Sequence, residues 1–164
     1  MEDSSLIILV TKEGKEIEIP KKSVELSELL KGAINDFPNE KKIPLNEIDE
    51  RIGGKIKEYL THFNGNAPAE IEKPLKSKIM KNNTDEWSAN FIDKMTMDEL
   101  ENLTVAANYM GIYSLLDLCS AKFASFFKDK GEEEVLKEFN IKEPLTEEEK
   151  NKIIEENKWI EENI

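Results

Sequence analysis

The chain of 164 residues holds one cysteine, Cys119, and one histidine, His62. A lone cysteine excludes a disulfide within the chain and fits a reducing compartment. One of each also cannot complete the four-ligand sphere of a structural zinc site, nor form a cysteine nucleophile with several bases to choose from. Cys119 falls on an apolar helical face and reads as a small core residue. His62 falls at a helix end and reads as a surface imidazole. No apolar run approaches the ~18 residues of a membrane span. The opening MEDSSLIILV lacks a basic stretch and carries only a strand-length apolar run, unlike a secretory signal. Basic residues are outnumbered, 23 against 35 acidic, for a formal net charge of −12. That sign opposes binding to nucleic acid, whose phosphates need Lys and Arg, and to an anionic membrane surface. Gly53-Gly54 stands outside any phosphate-loop pattern. The expectation is a soluble, cytoplasmic and nuclear protein with no catalytic centre, cofactor, metal, nucleic acid or membrane partner.

What is present is a periodic body. Leu6–Thr11 is apolar and β-branched, and Glu16–Ile19 alternates with period two after Lys12-Glu13-Gly14-Lys15, which predicts a β-hairpin ended by Pro20. Ser23 is a plausible N-cap for a helix carrying Val24, Leu26, Leu29, Leu30 and Ile34. Ile43-Pro44-Leu45 fits a short edge strand, where a residue without an N–H is tolerated. Asn46 can cap the next helix, lined by Ile48, Ile52, Ile56, Tyr59, Leu60 and Phe63. Gly53-Gly54 inside it predicts a bend or a weak point. Residues 64–86 hold two prolines and an Asn-Gly turn, and predict a long surface loop or partly disordered insertion. Trp87 and Phe91, four apart, mark a short helix. Thr96 and Glu99 form a capping box, Leu100 to Met110 follow at helical spacing, and Gly111 closes that helix. Ile112 to Phe127 repeat the 3.6 period. Residues 96–128 are therefore two core helices crossing sharply at one glycine.

The last 34 residues differ. Thr146 with Glu149 is a second capping box, yet 131–164 is rich in glutamate and thin in apolar groups: Val135, Leu136, Phe139, Ile141, Ile153, Ile154, Trp159 and Ile160. Glu132–Glu134 and Glu147–Glu149 sit at helix N-termini, where carboxylates meet the helix dipole favourably, which explains them better than a metal cluster does. A helix polar nearly all round draws little stability from its own core. The tail is expected to be partly mobile when free, with Phe139, Ile141, Ile154 and Trp159 completed by another protein's apolar surface. The competing reading docks them on their own body. A second candidate surface is Asn108-Tyr109: Asn108 falls well off the buried face set by Leu103, Ala106, Ala107 and Met110 and Tyr109 beside it, where half-buried packing with a wet hydroxyl is the competing reading.

The strings TVAANYMGIYSLLDLCSAKFASFF at 104–127 and FNIKEPLTEEEKNKIIEENKWIEE at 139–162 are specific. Trp87 with Phe91 and the Ile43-Pro44-Leu45 segment add to them. Together the chain resembles, over nearly its whole length, the S-phase kinase-associated adaptor family of SCF (cullin-RING) ubiquitin ligases. The resemblance implies an α+β fold: a BTB/POZ domain, a small sheet packed against helices, over 1–130, and a two-to-three-helix F-box-binding extension over 131–164. It implies an adaptor that does no chemistry. The adaptor links a cullin scaffold to F-box proteins and, through the cullin, reaches the RING protein and the ubiquitin-conjugating enzyme, so its contribution is effective concentration. Carried over by position, Asn108 and Tyr109 would meet the cullin, with Ile43 and Pro44 beside them. Leu116, Phe139, Ile141, Ile154 and Trp159 would line the F-box groove, supported by Leu103, Ala107, Cys119 and Phe123. A self-associating BTB/POZ scaffold outside ubiquitin transfer is the alternative, and a weak homodimer of the free chain stays open.

Overall fold

Leu6–Thr11 forms strand β1 and Glu16–Pro20 forms β2, an antiparallel hairpin in the register Leu9↔Ile17 and Ile7↔Ile19. The period of two sends Ile7, Leu9, Ile17 and Ile19 to one buried face. Lys42–Leu45 forms β3, parallel to β1 with Leu9 opposite Ile43, so the sheet order is β2-β1-β3. Ile43 and Leu45 are buried, while Lys42 and Pro44 are exposed. Pro44 thus sits on an edge strand, as its missing donor requires. The computed structural model describes residues 5–141 and 145–158. They divide into two compact units, Met1–Lys128 and Asp129–Ile164.

Between β2 and β3 the chain makes a short 3-10 helix, Lys21–Leu26, and helix α1, Glu28–Asp36. The N-cap of α1 is Ser27, not Ser23. Ser27 Oγ accepts from the Leu30 N–H at 3.2 Å and donates to the Met110 carbonyl at 2.6 Å. That second bond spans 83 positions, so no local pattern could have chosen between the two serines. Ser23 is buried inside the 3-10 helix instead. Likewise Asp49 rather than Asn46 caps α2, Glu50–Phe63, through Oδ1 and the Ile52 N–H at 2.8 Å. A carboxylate there satisfies an orphan donor and meets the helix dipole.

The glycine pair in α2 is not a break, because the helix runs unbroken through it. Gly53 is buried, and a Cβ there would lie 2.7 Å from Ile17 Cδ1 and 3.2 Å from Thr11 Cγ2. The absent side chain is what lets α2 lie close on the hairpin. Gly54 faces outward with nothing within 4 Å of its would-be Cβ.

The 64–86 segment carries two buried anchors, Ile71 and Met80. Asn83 pins its far end: Oδ1 accepts from the Lys76 and Ser77 N–H groups, and Nδ2 donates to the Ser77 and Ile79 carbonyls. Helix α3, Glu86–Asp93, follows with Trp87 and Phe91 stacked, ring centroids 5.1 Å apart. Helix α4, Met97–Met110, starts at the Thr96–Glu99 capping box and ends at Gly111, whose φ of 62° is the left-handed conformation expected of a C-cap glycine. Helix α5, Tyr113–Phe127, completes the body. In the second unit, α6 spans Glu132–Glu138 and α7 spans Glu147–Glu156 behind the expected Thr146–Glu149 box.

Candidate partner-binding surfaces

The first surface is set by the phase of α4. Leu100, Leu103, Ala106, Ala107 and Met110 are buried, and a 3.6-residue repeat then turns Val105, Asn108 and Tyr109 outward. Tyr109 is 40% exposed and Val105 70%. Val105 is one turn before Tyr109, and both border a small cleft with Lys12, Glu47, Ile48 and Asp49. Sequence reasoning passed over Val105, although the same helical phase that marks Asn108 marks it too. The last turn of α4 is held from outside the helix. Besides the Ser27–Met110 bond, the Glu28 N–H donates to the Gly111 carbonyl at 3.3 Å. A Cβ on Gly111 would meet Glu28 Cβ at 2.9 Å. On β3, Pro44 is exposed, but Ile43 is only 6% exposed and points into the core. Ile43 therefore offers no contact surface; its place is structural.

The α5 residues separate in the same way. Leu116 and Phe123 are half-buried and pack on the core, whereas Leu103, Ala107 and Cys119 have no exposed surface. Those three can support a binding surface only from beneath. Burial pushes the Cys119 thiol up to about 12, against a hydrogen bond with Thr104 that lowers it, so it stays protonated near neutrality. A larger open groove, absent from the sequence reading, runs between α5 and the preceding long loop. Ala121, Ala124 and Phe127 face Ile71, Pro74 and Leu75 across it. Lys73 crosses to Asp117 at 3.2 Å. Its sequence signal is the run of small residues, Ser120, Ala121 and Ala124, on one side of α5.

The second unit buries no residue of α6 or α7. Val135, Leu136 and Phe139 are half-buried; Ile141, Leu145, Ile153 and Ile154 are exposed. Polar contacts order it instead. Lys150 Nζ lies 3.5 Å from Glu132 and 3.4 Å from Glu147, tying the start of α7 to the start of α6. The Glu132 carboxylate, and then that of Glu147, hold the Lys150 pKa above its ordinary value. Glu149 accepts the Thr146 backbone N–H at 2.8 Å, which holds its carboxyl below the usual range. Trp159 lies outside the described residues.

His62 stacks on Trp87 at 3.7 Å with the rings nearly parallel and meets Phe63 edge-on. Among the described residues no three His, Cys, Asp or Glu side chains are placed to hold a metal ion, and no helix is long and apolar enough to cross a membrane.

A three-stranded mixed sheet under a helical body, followed by an acidic helical extension, is a BTB/POZ-type α+β protein. Residues 5–65 match the Skp1 family tetramerisation domain and residues 113–160 the Skp1 family dimerisation domain. An S-phase kinase-associated protein 1 homolog from Tetrahymena thermophila is 39% identical over 159 residues, covering 97% of this chain and 96% of that protein. The E3 ubiquitin ligase complex SCF subunit sconC of Arthroderma otae is 32% identical, with 96% of each covered. SKP1-like protein 18 of Arabidopsis thaliana is 31% identical, covering 95% of this chain and 96% of that protein. The chain belongs to the Skp1 family.

Proposed function

We propose that this protein is the adaptor subunit of an SCF-type E3 ubiquitin ligase, working in the cytoplasm and nucleus. The body binds a cullin scaffold through the last turn of α4, with Asn108 and Tyr109 as contacts and the exposed Pro44 of β3 as a further one. The extension binds F-box proteins through Phe139, Ile141, Ile154 and Trp159. The adaptor takes no part in bond making; it raises the concentration of a receptor-bound substrate near the ubiquitin-carrying enzyme. The observation that supports this best is where the apolar surface is left open. The body closes a core and still leaves Val105 and Tyr109 outside it, while α6 and α7 bury no residue and Ile141, Leu145, Ile153 and Ile154 are left exposed. Exposed apolar groups also occur elsewhere on the body, Phe37 and Tyr113 among them, so the support comes from the placing of Val105 and Tyr109 one turn apart on α4 and the succession of the others along the extension.

Calorimetric titrations of the full chain with an F-box domain and with a cullin scaffold test it. Phe139→Ala or Trp159→Ala is expected to cost about 2 kcal/mol or more of F-box binding, as a truncated anchor does, and to leave cullin binding intact. Tyr109→Ala is expected to do the reverse. Absence of binding to several F-box domains and cullins, with concentration-dependent self-association, would transfer the protein to the scaffold reading.

A further inference from the structure

We propose that Ser27 is a positioning residue for the scaffold-binding face: it fixes the turn of α4 that carries Asn108 and Tyr109 without touching the partner. This rests on the reading of that face given above. Ser27 is fully buried, so it can act only through its neighbours. Its hydroxyl has two partners at once. It accepts the Leu30 N–H, which starts α1, and donates to the Met110 carbonyl, which ends α4. The final carbonyls of a helix have no partner within it and are ordinarily left to water or a cap. Here one is taken by a side chain from a different element.

The bond is part of a clamp. One residue on, the Glu28 N–H reaches the Gly111 carbonyl, and the absent Gly111 side chain leaves space for Glu28 Cβ. The Gly111 N–H in turn closes back on Ala107 and Asn108. The start of α1 and the end of α4 are thus one junction. The two partner-facing residues lie within two positions of the carbonyl that Ser27 holds. A last helical turn would otherwise fray. Tyr109 would then sample orientations that a bound partner has to select against, and apparent affinity falls by the fraction of chains not already in the binding geometry.

The experiment titrates a purified cullin scaffold, and separately an F-box domain, against full-length Ser27→Ala, Tyr109→Ala and Ile19→Val proteins, the last being a core substitution in β2. Losing the bond to the Met110 carbonyl predicts a loss of cullin affinity of up to about fivefold for Ser27→Ala, F-box affinity unchanged, and faster amide exchange at Leu30, which loses its acceptor, and in the last turn at Gly111 and Ile112. Ser27→Thr, which keeps a hydroxyl, should restore most of the affinity. If Ser27→Ala does not fold, Ser27→Gly removes the whole side chain, hydroxyl included, but glycine is the better tolerated of the two at an N-cap, and the same prediction applies to it. Cullin affinity unchanged in the Ser27 variants while Tyr109→Ala abolishes it overturns the positioning role. So does an equal weakening by Ile19→Val, because the effect would then be general destabilisation. Cullin binding indifferent to Tyr109→Ala as well removes the face itself, a separate failure with a separate signature.

Discussion

Residues 5–128 and 129–158 treat their apolar side chains in opposite ways. In the first unit every strand and long helix contributes to a continuous buried cluster running in sequence from Ile7 to Ala121. In the second, no residue of α6 or α7 is buried, and the helices are marked out by the capping box of α7, the Gly131 N–H bond to Glu134 and ion pairs. Hydrophobic burial is non-directional and scales with area, so it can hold a body together under most conditions. Caps and exposed ion pairs are worth about 1 kcal/mol or less each. They choose where a helix begins without fixing what covers it. The first unit can therefore be a stable platform, while the second keeps its apolar side chains available.

The sharpest way to break this comparison is to delete the same kind of atoms from both units. Leu60→Ala empties a fully buried site on α2 and should cost about 3 kcal/mol. Ile154→Ala removes a side chain 57% exposed and should change stability by less than about 0.5 kcal/mol. Urea unfolding followed by circular dichroism measures both. A comparable cost for Ile154 would mean that the extension has a core of its own.

Within the body, the two adjacent glycines of α2 give a finer contrast. Gly53→Ala brings a methyl group to 2.7 Å from Ile17 Cδ1 and 3.2 Å from Thr11 Cγ2; the buried Ile17 end must shift, and the overpacking should offset the propensity gain and leave a net cost of about 1 kcal/mol. Gly54→Ala meets nothing within 4 Å and should gain up to about 1 kcal/mol from helix propensity. Melting temperatures moving in the same direction for both would contradict the close seat of α2 on the hairpin.

Much of the body was legible because its signals are local and repeated. The β1–β2 hairpin follows from alternation, α4 from its capping box and Gly111, and α5 from its 3.6-residue period. The exposure of Asn108 follows from the buried phase of Leu103, Ala107 and Met110, which leaves Tyr109 between packing and surface. The failures have one physical cause, a tertiary contact deciding between local options. Ser23 and Ser27 are equivalent as caps until Met110 supplies a second bond to one of them. Asn46 and Asp49 compete for α2 until the turn after β3 places Asp49 at its start. Gly53-Gly54 reads as weakness until the hairpin is seen to press on Gly53. Ile43 reads as a partner contact until the sheet turns it inward. The groove beside α5 joins residues some 50 positions apart in sequence, Ile71 and Ala121 among them, and no periodicity reports such a meeting.

The capping boxes show the difference between the units at smaller scale. Thr96→Ala and Thr146→Ala each remove a hydroxyl that accepts the N–H of a glutamate three residues on, worth about 1 kcal/mol. In the body the loss should appear as a lower midpoint of global unfolding, because α4 is packed into the core. In the extension it should appear as lost helicity at 222 nm with the global midpoint unmoved. A global shift from Thr146→Ala would show that the two units unfold together.

The smallest effect is the pH dependence of the same boxes, and its sign follows from the carboxylates. The Thr96 and Thr146 backbone N–H groups hold the Glu99 and Glu149 carboxyls below their ordinary values. A carboxyl with a depressed folded-state pKa contributes stability that is complete above its unfolded value, about 4.3, and is lost as pH falls through the folded value. Glu149 is exposed and Glu99 half-buried, so solvent keeps the effect small, most of all for Glu149. Helicity of the extension should therefore decline on acidification below about pH 4 before the body unfolds. Lys150 adds to the decline as Glu132 and Glu147 are neutralised. Glu149→Gln isolates the box, since a glutamine can still accept the Thr146 N–H but has no proton to gain. That variant should flatten the Glu149 part of the acid transition and leave the Lys150 part in place. An acid transition identical in both proteins would mean that the box does not hold α7, and that the ion pairs to Lys150 do so alone.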